Sequence, residues 1–227
     1  MRLYKTDKKV LSFQNNPAAF LKGITSNTLE APRNAFLDIH GKIVATFDQL
    51  KIADDEIWIC LEAAFVPTVL THIDKYVKLA RVKVEAPDLN VYFDLDGNYD
   101  LKVEERMIPQ KKGQLIITPH QMSAPVSEEE FTSFRLQHAI ALHGQDYQDD
   151  FILNVSVNEF VSFTKGCFLG QEPVSKVYNR SKPTWRLVVK KGENCSEEER
   201  SKLTSPAPGP DGGVSGFVFE KNEIVAG

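Results

Sequence analysis

The chain has 227 residues, of which 42% are hydrophobic and 26% are charged, and its formal net charge is −4. A chain of this size and composition buries its own core without a disulfide framework, and its apolar runs are too short for a membrane-spanning helix. We expect a cytoplasmic protein, because the N-terminal segment has neither an apolar signal core nor the pattern of a transit peptide.

The three cysteines, Cys60, Cys167 and Cys195, lie far apart, and no CxxC pair is present. Closely spaced cysteine pairs are typical of zinc sites, so we predict no metal site and expect free thiols in a reducing compartment.

The first third of the chain predicts a strand, a short helix and a β-hairpin. The strand covers residues 9–14, and Asn16 and Pro17 begin the helix 17–23. The hairpin joins strands 34–39 and 42–52 through His40–Gly41. In the strand 42–52 the apolar residues change from odd to even positions near Asp48–Gln49. The change indicates either a bulge or burial of both faces of the strand.

The middle of the chain continues with a strand at 55–63, where Cys60 is a core residue. A helix at 64–80 carries an apolar stripe every fourth residue. Strands are predicted at 82–87, 91–96 and 113–119. Ser127 and Glu130 form a capping-box pattern for a helix that we expect to end at Gly144.

The C-terminal part predicts a strand at 184–192, a polar loop at 195–202 and a cluster of helix and strand breakers at 205–213. A closing hairpin around Lys221–Asn222 covers residues 214–227. Neighbouring strands are common and no dinucleotide or P-loop motif occurs, so we predict an α+β fold with largely antiparallel sheets.

One segment, "FTKGCFLGQEPVSKVYNR" at 163–180, carries chemistry. Cys167 lies near Lys165 and before a predicted helix start, and both a cation and a helix start favour the thiolate. Gly166 and Gly170 allow close approach of a ligand. The alternative is a buried structural thiol between two phenylalanines, and a Cys–His pair would need His138 or His143 from elsewhere.

The residues from Lys165 to Lys191 are strongly basic, with seven cations and one acid, so the rest of the chain carries about −10. A local basic field in an acidic protein indicates a specific anionic partner, although a solvated surface gives the same pattern.

The octapeptide "KGCFLGQE" resembles the signature of the YgfZ-type folate-binding proteins, relatives of the glycine-cleavage aminomethyltransferase (T-protein). The segments "FLKGITSNTL", "AFLDIHGKIVATFDQLKI", "FRLQHAIALHG", "KLTSPAP" and "GFVF" resemble other parts of that family in the same order. The likeness spans nearly the whole chain.

The resemblance implies a folate-binding aminomethyltransferase-like domain at 1–180 and a small C-terminal β-domain, a partial barrel, at 181–227. It implies binding of tetrahydrofolate or a one-carbon derivative, and a role with iron–sulfur proteins or assembly factors that affects tRNA modification indirectly. Cys167 and Lys165 are the implied catalytic residues. The implied cofactor-binding residues are Asn27, Arg135, Gln137, Asn154, Gly166, Gly170, Gln171, Glu172, Arg180 and Arg186.

The chain departs from aminomethyltransferases at two places. Their carboxylate pair is replaced by Ala45 and Thr46, which cannot exchange a proton at neutral pH. Their pterin-binding glutamate is replaced by Gln137, which has one acceptor oxygen. Both departures argue against full aminomethyltransferase chemistry. The YgfZ-type proteins share both departures.

Further candidates follow from the shape of folate. Its glutamate tail suits Arg135 and the basic residues Lys176, Arg180, Lys182 and Arg186. Its flat pterin suits Phe163, Phe168, Tyr178 or Trp185, each of which also fits a core position.

Two other functions stay open. A folate-dependent one-carbon transferase would need an acid or base such as Asp48 or Asp38. A binding module would dock a protein or tRNA on the basic surface.

Overall fold

The structure is a computed structural model that describes residues 1–209 and 212–222. It contains three sheets in which every pairing between strands is antiparallel. The mixed helix and strand content with antiparallel pairing confirms the predicted class.

The first sheet has five strands in the order β3-β4-β5-β2-β6. Its strands are β2 (Lys8–Gln14), β3 (Arg33–Leu37), β4 (Ile43–Ala53), β5 (Glu56–Glu62) and β6 (Lys83–Glu85). Helices α1 (Pro17–Ile24) and α2 (Val66–Ala80) cover one face, where Leu21, Val69 and Ile73 pack against Phe13 and Phe47.

The second sheet has four strands in the order β1-β7-β9-β8 and lies against the other face of the first. Its strands are β1 (Leu3–Lys5), β7 (Asn90–Asp94), β8 (Arg106–Pro109) and β9 (Gln114–Thr118). Val10 and Cys60 of the first sheet pack there with Phe93 and with Phe131 of helix α3 (Glu128–His138). The first sheet is therefore covered on both faces.

Burial of both faces of the first sheet explains why the apolar residues of β4 change from odd to even positions. Residues Ala45 to Gln49 are all buried, and pairing with β5 runs without interruption from Asp48 to Lys51. The alternative of a bulge at Asp48–Gln49 is wrong, since the register shifts lie at Phe36/Leu37 and at Lys51/Ala53.

The third sheet contains β10 (Trp185–Lys191), β11 (Thr204–Pro208) and β12 (Val214–Lys221), with β12 in the centre. Within the described residues no pairing joins β10 to β11, so these strands do not form a closed barrel. The sheet falls inside the predicted unit 181–227, whose boundary remains a prediction.

Three short helices complete the described chain: α4 (Ile152–Val155), α5 (Gln171–Arg180) and α6 (Glu197–Ser201). Two single 3-10 turns are at Ala63–Phe65 and Gly192–Asn194. Among the residues placed by the structure, no helix is both long and apolar enough to cross a bilayer.

The helix predicted to reach Gly144 instead ends at His138. Ala139 adopts a left-handed conformation (φ 49°), and its N–H closes the last turn on the carbonyls of Arg135 and Leu136. Residues 142–147 then turn back, with Gly144 against the ring of Phe65.

The C-terminal predictions need two corrections. The segment expected to be a polar loop contains α6, which begins with a complete capping box between Ser196 and Glu199. The breaker cluster contains β11, where prolines are tolerated because β11 is an edge strand. The second arm of the closing hairpin, residues 223–227, lies outside the described residues.

Candidate functional site

Cys167 is exposed, on a loop that is attached to the end of helix α1. The N–H of Leu169 donates to the carbonyl of Gly23 (3.2 Å), and the ammonium of Lys165 donates to the carbonyl of Thr25. The loop therefore has one anchor on each side of the cysteine. The alternative of a buried structural thiol is wrong.

The aromatic residues around the cysteine point into the protein or pack on each other. Phe168 is buried in a core with Leu37 and Val174. Phe163 stacks on Tyr178 of α5, with ring centroids 3.7 Å apart and an interplanar angle of 14°. The rings of Phe168 and Phe163 are thus occupied by packing within the protein. Tyr178 keeps 48% of its surface exposed.

The two glycines have different structural roles. Gly170 precedes α5 with φ +83°, and a Cβ atom there would overlap the carbonyl oxygen of Asp38. A Cβ atom at Gly166 would meet no atom within 4 Å. Gly170 is therefore required by the fold, whereas the space beside Gly166 is open. Helix α5 begins after Gly170, as predicted.

Lys165 is half-buried, and this changes its protonation. Burial and the nearby charge of Lys22 lower the pKa of Lys165 to about 8. Its ammonium lies 5.1 Å from the centre of the Phe168 ring. Lys165 therefore keeps its charge at pH 7 and becomes a free amine at mildly alkaline pH.

A cavity of about 490 Å³ lies beside the cysteine. Its lining includes Cys167, Gly166 and Lys165 on one side, and Lys22, Thr28 and Glu30 on the other. The second group was not among the predicted site residues. Lys22 lies in the last turn of α1, and Thr28 and Glu30 follow that helix, more than a hundred residues before Cys167. The segment "FLKGITSNTL", one of those that carry the sequence resemblance, contains Lys22 and Thr28 but ends before Glu30.

The histidines named as partners for the cysteine lie elsewhere. His143 is buried and stacks on Phe65 (3.7 Å between centroids), and burial lowers its pKa to about 4. His138 packs on Phe134. Neither is among the described residues that line the cavity, so the structure forms no Cys–His pair.

Arg135 joins α3 to the C-terminal sheet. It is 1% exposed and forms an ion pair with Asp146 at 2.6 Å. It also donates to Ile140 (3.2 Å), Gln145 (3.1 Å) and the hydroxyl of Ser205 on β11 (2.9 Å). Its Nε has no hydrogen-bond partner among the described residues, and Arg135 is one of the residues that line a central cavity of about 60 Å³. That Arg135 holds a folate tail stays a prediction, but its main contacts are structural.

Asp48 borders the same central cavity and is already paired. Its carboxylate accepts from Gln110 (2.9 Å) and lies 3.2 Å from the Lys8 ammonium and 3.6 Å from Arg33 Nε. Burial opposes the charge on Lys8, but Glu62 and Asp48 outweigh it and raise the pKa of Lys8. Asp48 is therefore engaged in a buried ionic network.

The other candidate for acid–base chemistry, Asp38, closes the hairpin turn. Its carboxylate accepts from the N–H groups of His40 (2.8 Å) and Lys42 (2.9 Å). Ala45 and Thr46, which replace the family carboxylates, are buried, and the Thr46 hydroxyl is 2.8 Å from that of Tyr147. Nothing at these positions offers a free acid or base.

Three predicted cofactor residues occupy separate places. Asn27 is buried and its amide donates to the carbonyls of Arg33 and Glu159, both at 3.0 Å. Gln137 is exposed on α3. Asn154 borders another cavity, beside Trp185.

The remaining predicted residues lie along α5 and β10. Gln171 and Glu172 form the first turn of α5, and Arg180 is exposed at its end. Arg186 is exposed and pairs with Glu220 at 2.5 Å. The structure therefore brings Cys167, Lys165 and Gly166 together at one cavity and places the other candidates outside it.

Comparison with known proteins supports the fold. No protein-family model matches the chain. A solved structure, the glycine cleavage system aminomethyltransferase T from Bartonella henselae, superposes with a TM-score of 0.72 at 14% sequence identity, covering 96% of this chain and 78% of that one. The two chains share a fold.

A second similarity is to an uncharacterized protein of Haemophilus influenzae, 21% identical over 178 residues. The match covers 73% of this chain and 61% of that protein, so the chain spans less than two thirds of the relative it matches.

Proposed function

We propose that the chain binds tetrahydrofolate or a one-carbon derivative and uses Cys167 in the assembly or repair of iron–sulfur clusters, as its resemblance to YgfZ-type proteins implies. The observation that carries the proposal is an exposed thiol beside a cavity of about 490 Å³, in a chain with the aminomethyltransferase fold. An effect on tRNA modification would follow from the state of iron–sulfur partner proteins.

The residues around the cavity suit parts of a folate. Its volume falls within the range of small-molecule sites, roughly 300–1,000 Å³. The carboxylate of Glu30 offers the paired acceptor that the pterin N3–H and 2-amino group require, a role for which Gln137 is exposed and unsuited. Lys22 and Lys165 offer cations to the glutamate carboxylates.

The central cavity fits a folate less well. At about 60 Å³ it holds roughly two water molecules, and its charged residues are largely paired with one another. We therefore assign the folate to the cavity beside Cys167.

A single cysteine cannot hold a cluster, because iron–sulfur clusters need about four protein ligands. The exposed thiol instead suits transient contact with a partner that carries the cluster. The basic residues of α5, Lys176 and Arg180, are exposed on the helix that follows this loop and would attract an acidic partner.

Tetrahydrofolate titration tests the first half of the proposal. We expect a saturable rise in melting temperature for the native protein and a smaller rise for Glu30→Gln. Glu129→Gln, which changes an exposed carboxylate on α3, is the matched control and should bind normally. The absence of any thermal shift up to millimolar tetrahydrofolate would remove the folate assignment.

The second half is tested in cells. A strain whose only copy carries Cys167→Ser should lose activity of iron–sulfur enzymes, and Cys195→Ser, which changes a buried thiol, should not. Normal iron–sulfur enzyme activity in the Cys167→Ser strain would contradict the proposed role.

The alternative of a one-carbon transferase has less support. The two carboxylates suggested for it, Asp48 and Asp38, are engaged in an ionic network and in a turn. Formation of methylenetetrahydrofolate from glycine-derived or methylamine donors would be needed to restore it.

A further inference from the structure

An amine and a thiol border the same cavity, and their surroundings differ from those of the other lysines and cysteines. Cys167 is the exposed cysteine, whereas Cys60 and Cys195 are buried. Lys165 is half-buried, and its Nζ is held by the carbonyl of Thr25 at the end of α1. The two residues are separated by Gly166, where no other atom fills the space beside the backbone.

We propose that this cavity captures a small aldehyde, of which formaldehyde is the simplest, as a methylene bridge between Lys165 Nζ and Cys167 Sγ. The inference deepens the proposed function, on which it rests for the origin of the substrate: a folate carrier delivers one-carbon units at this oxidation level. The ligand class itself follows from the pairing of a nucleophilic amine with a thiol.

The chemistry needs no oxidant or reductant. The neutral amine of Lys165 adds to the carbonyl carbon and forms a hydroxymethyl amine. Loss of water, with the proton supplied by solvent, leaves an iminium carbon, and the Cys167 thiolate adds to it. One amine, one thiol and one formaldehyde thus give one N–CH2–S bridge and one water molecule.

Three structural features favour the reaction at this position. Partial burial and the charge of Lys22 leave more of the Lys165 side chain as free amine than an exposed lysine would have. The anchors at Thr25 and Gly23 restrict the loop on both sides of the thiol. Lys165 and Cys167 line the same cavity, so the addition of the thiol to the amine-bound carbon is intramolecular.

The test uses the intact chain with carbon-13 formaldehyde. NMR should show a methylene carbon bonded to both nitrogen and sulfur, and peptide mapping should place the gain of one carbon atom on the peptide that contains residues 165–167. Protection of Cys167 from maleimide should develop roughly tenfold or more faster in the native protein than in Lys165→Arg, which keeps the charge but removes the nucleophile. The rate should rise as the pH approaches 8, where Lys165 loses its proton.

Controls separate the site from general lysine chemistry. Lys75→Arg, which changes an exposed lysine on α2, should form the bridge at the native rate, and Cys167→Ser should form none. Equal rates for the native protein and Lys165→Arg, or equal rates in the folded and urea-unfolded protein, would overturn the inference.

The outcome is distinguishable from failure of the proposed function. A bridge without any thermal shift by tetrahydrofolate would retain the aldehyde site and remove the folate assignment. A thermal shift without a bridge would retain the folate assignment and remove the aldehyde site.

Discussion

Replacing Arg135 distinguishes a structural residue from a ligand-binding one. In Arg135→Met, Asp146 loses its ion-pair partner in a buried site, since both side chains are at most 1% exposed. Breaking a buried ion pair from one side costs about 3–5 kcal/mol because it leaves an uncompensated charge. The contacts to Gln145 and Ser205 are lost as well, so we expect a value in the upper half of that range.

The matched control is Arg186→Met. Arg186 also pairs with a glutamate, but its side chain is 62% exposed, and exposed pairs contribute about 0–1 kcal/mol. Urea unfolding followed by circular dichroism gives both values. A double variant, Arg135→Met with Asp146→Leu, removes the stranded carboxylate and should regain at least about 1 kcal/mol relative to the single variant.

The refuting result is specific. If Arg135→Met lost less than about 1 kcal/mol of stability and still abolished tetrahydrofolate binding, Arg135 would be a ligand residue and its contacts with Asp146 and Ser205 would not support the fold.

Three further outcomes follow from the geometry. Gly170→Ala should cost at least about 2 kcal/mol, from its positive φ and the overlap with Asp38, whereas Gly166→Ala should leave the unfolding free energy nearly unchanged. In the native protein maleimide should label one thiol, Cys167, and all three only after unfolding, as mass spectrometry would record; early labelling of a second thiol would contradict the burial. Because the pKa of His143 falls from 6.5 unfolded to about 4 folded, its contribution to stability is lost as the pH falls from 6.5 to 4. His143→Phe should therefore unfold with a weaker pH dependence over that range, by up to about 3 kcal/mol, and an unchanged dependence would contradict it.

Local patterns predicted the elements whose cause is local. The hairpin of β3 and β4 follows from alternation around His40–Gly41, and the start of α5 from Gly170. For β4 the local pattern fitted both a bulge and burial of both faces. The second is right because the second sheet, whose strands β7, β8 and β9 lie at residues 90–118, covers the other face, and a local pattern does not contain that contact.

Other features depend on contacts that a local pattern does not contain. Helix α3 ends at His138, where Ala139 adopts a left-handed conformation, and Asp146 from the following turn pairs with Arg135. The sequence places the cation of Lys165 near Cys167. Only the fold shows that this ammonium donates to the carbonyl of Thr25 and is partly desolvated. Helix α6 lies in a polar stretch without an apolar stripe, and its local signal is the capping box that begins at Ser196.

The contact between Gly170 and the Asp38 carbonyl has a consequence for how the thiol meets its target. The turn at Asp38, the end of α1 and the start of α5 hold the cysteine loop from three directions. These anchors restrict the position of the sulfur on the protein surface. Selectivity among reactants would then depend on how well the shape of the incoming molecule fits the surface around the thiol.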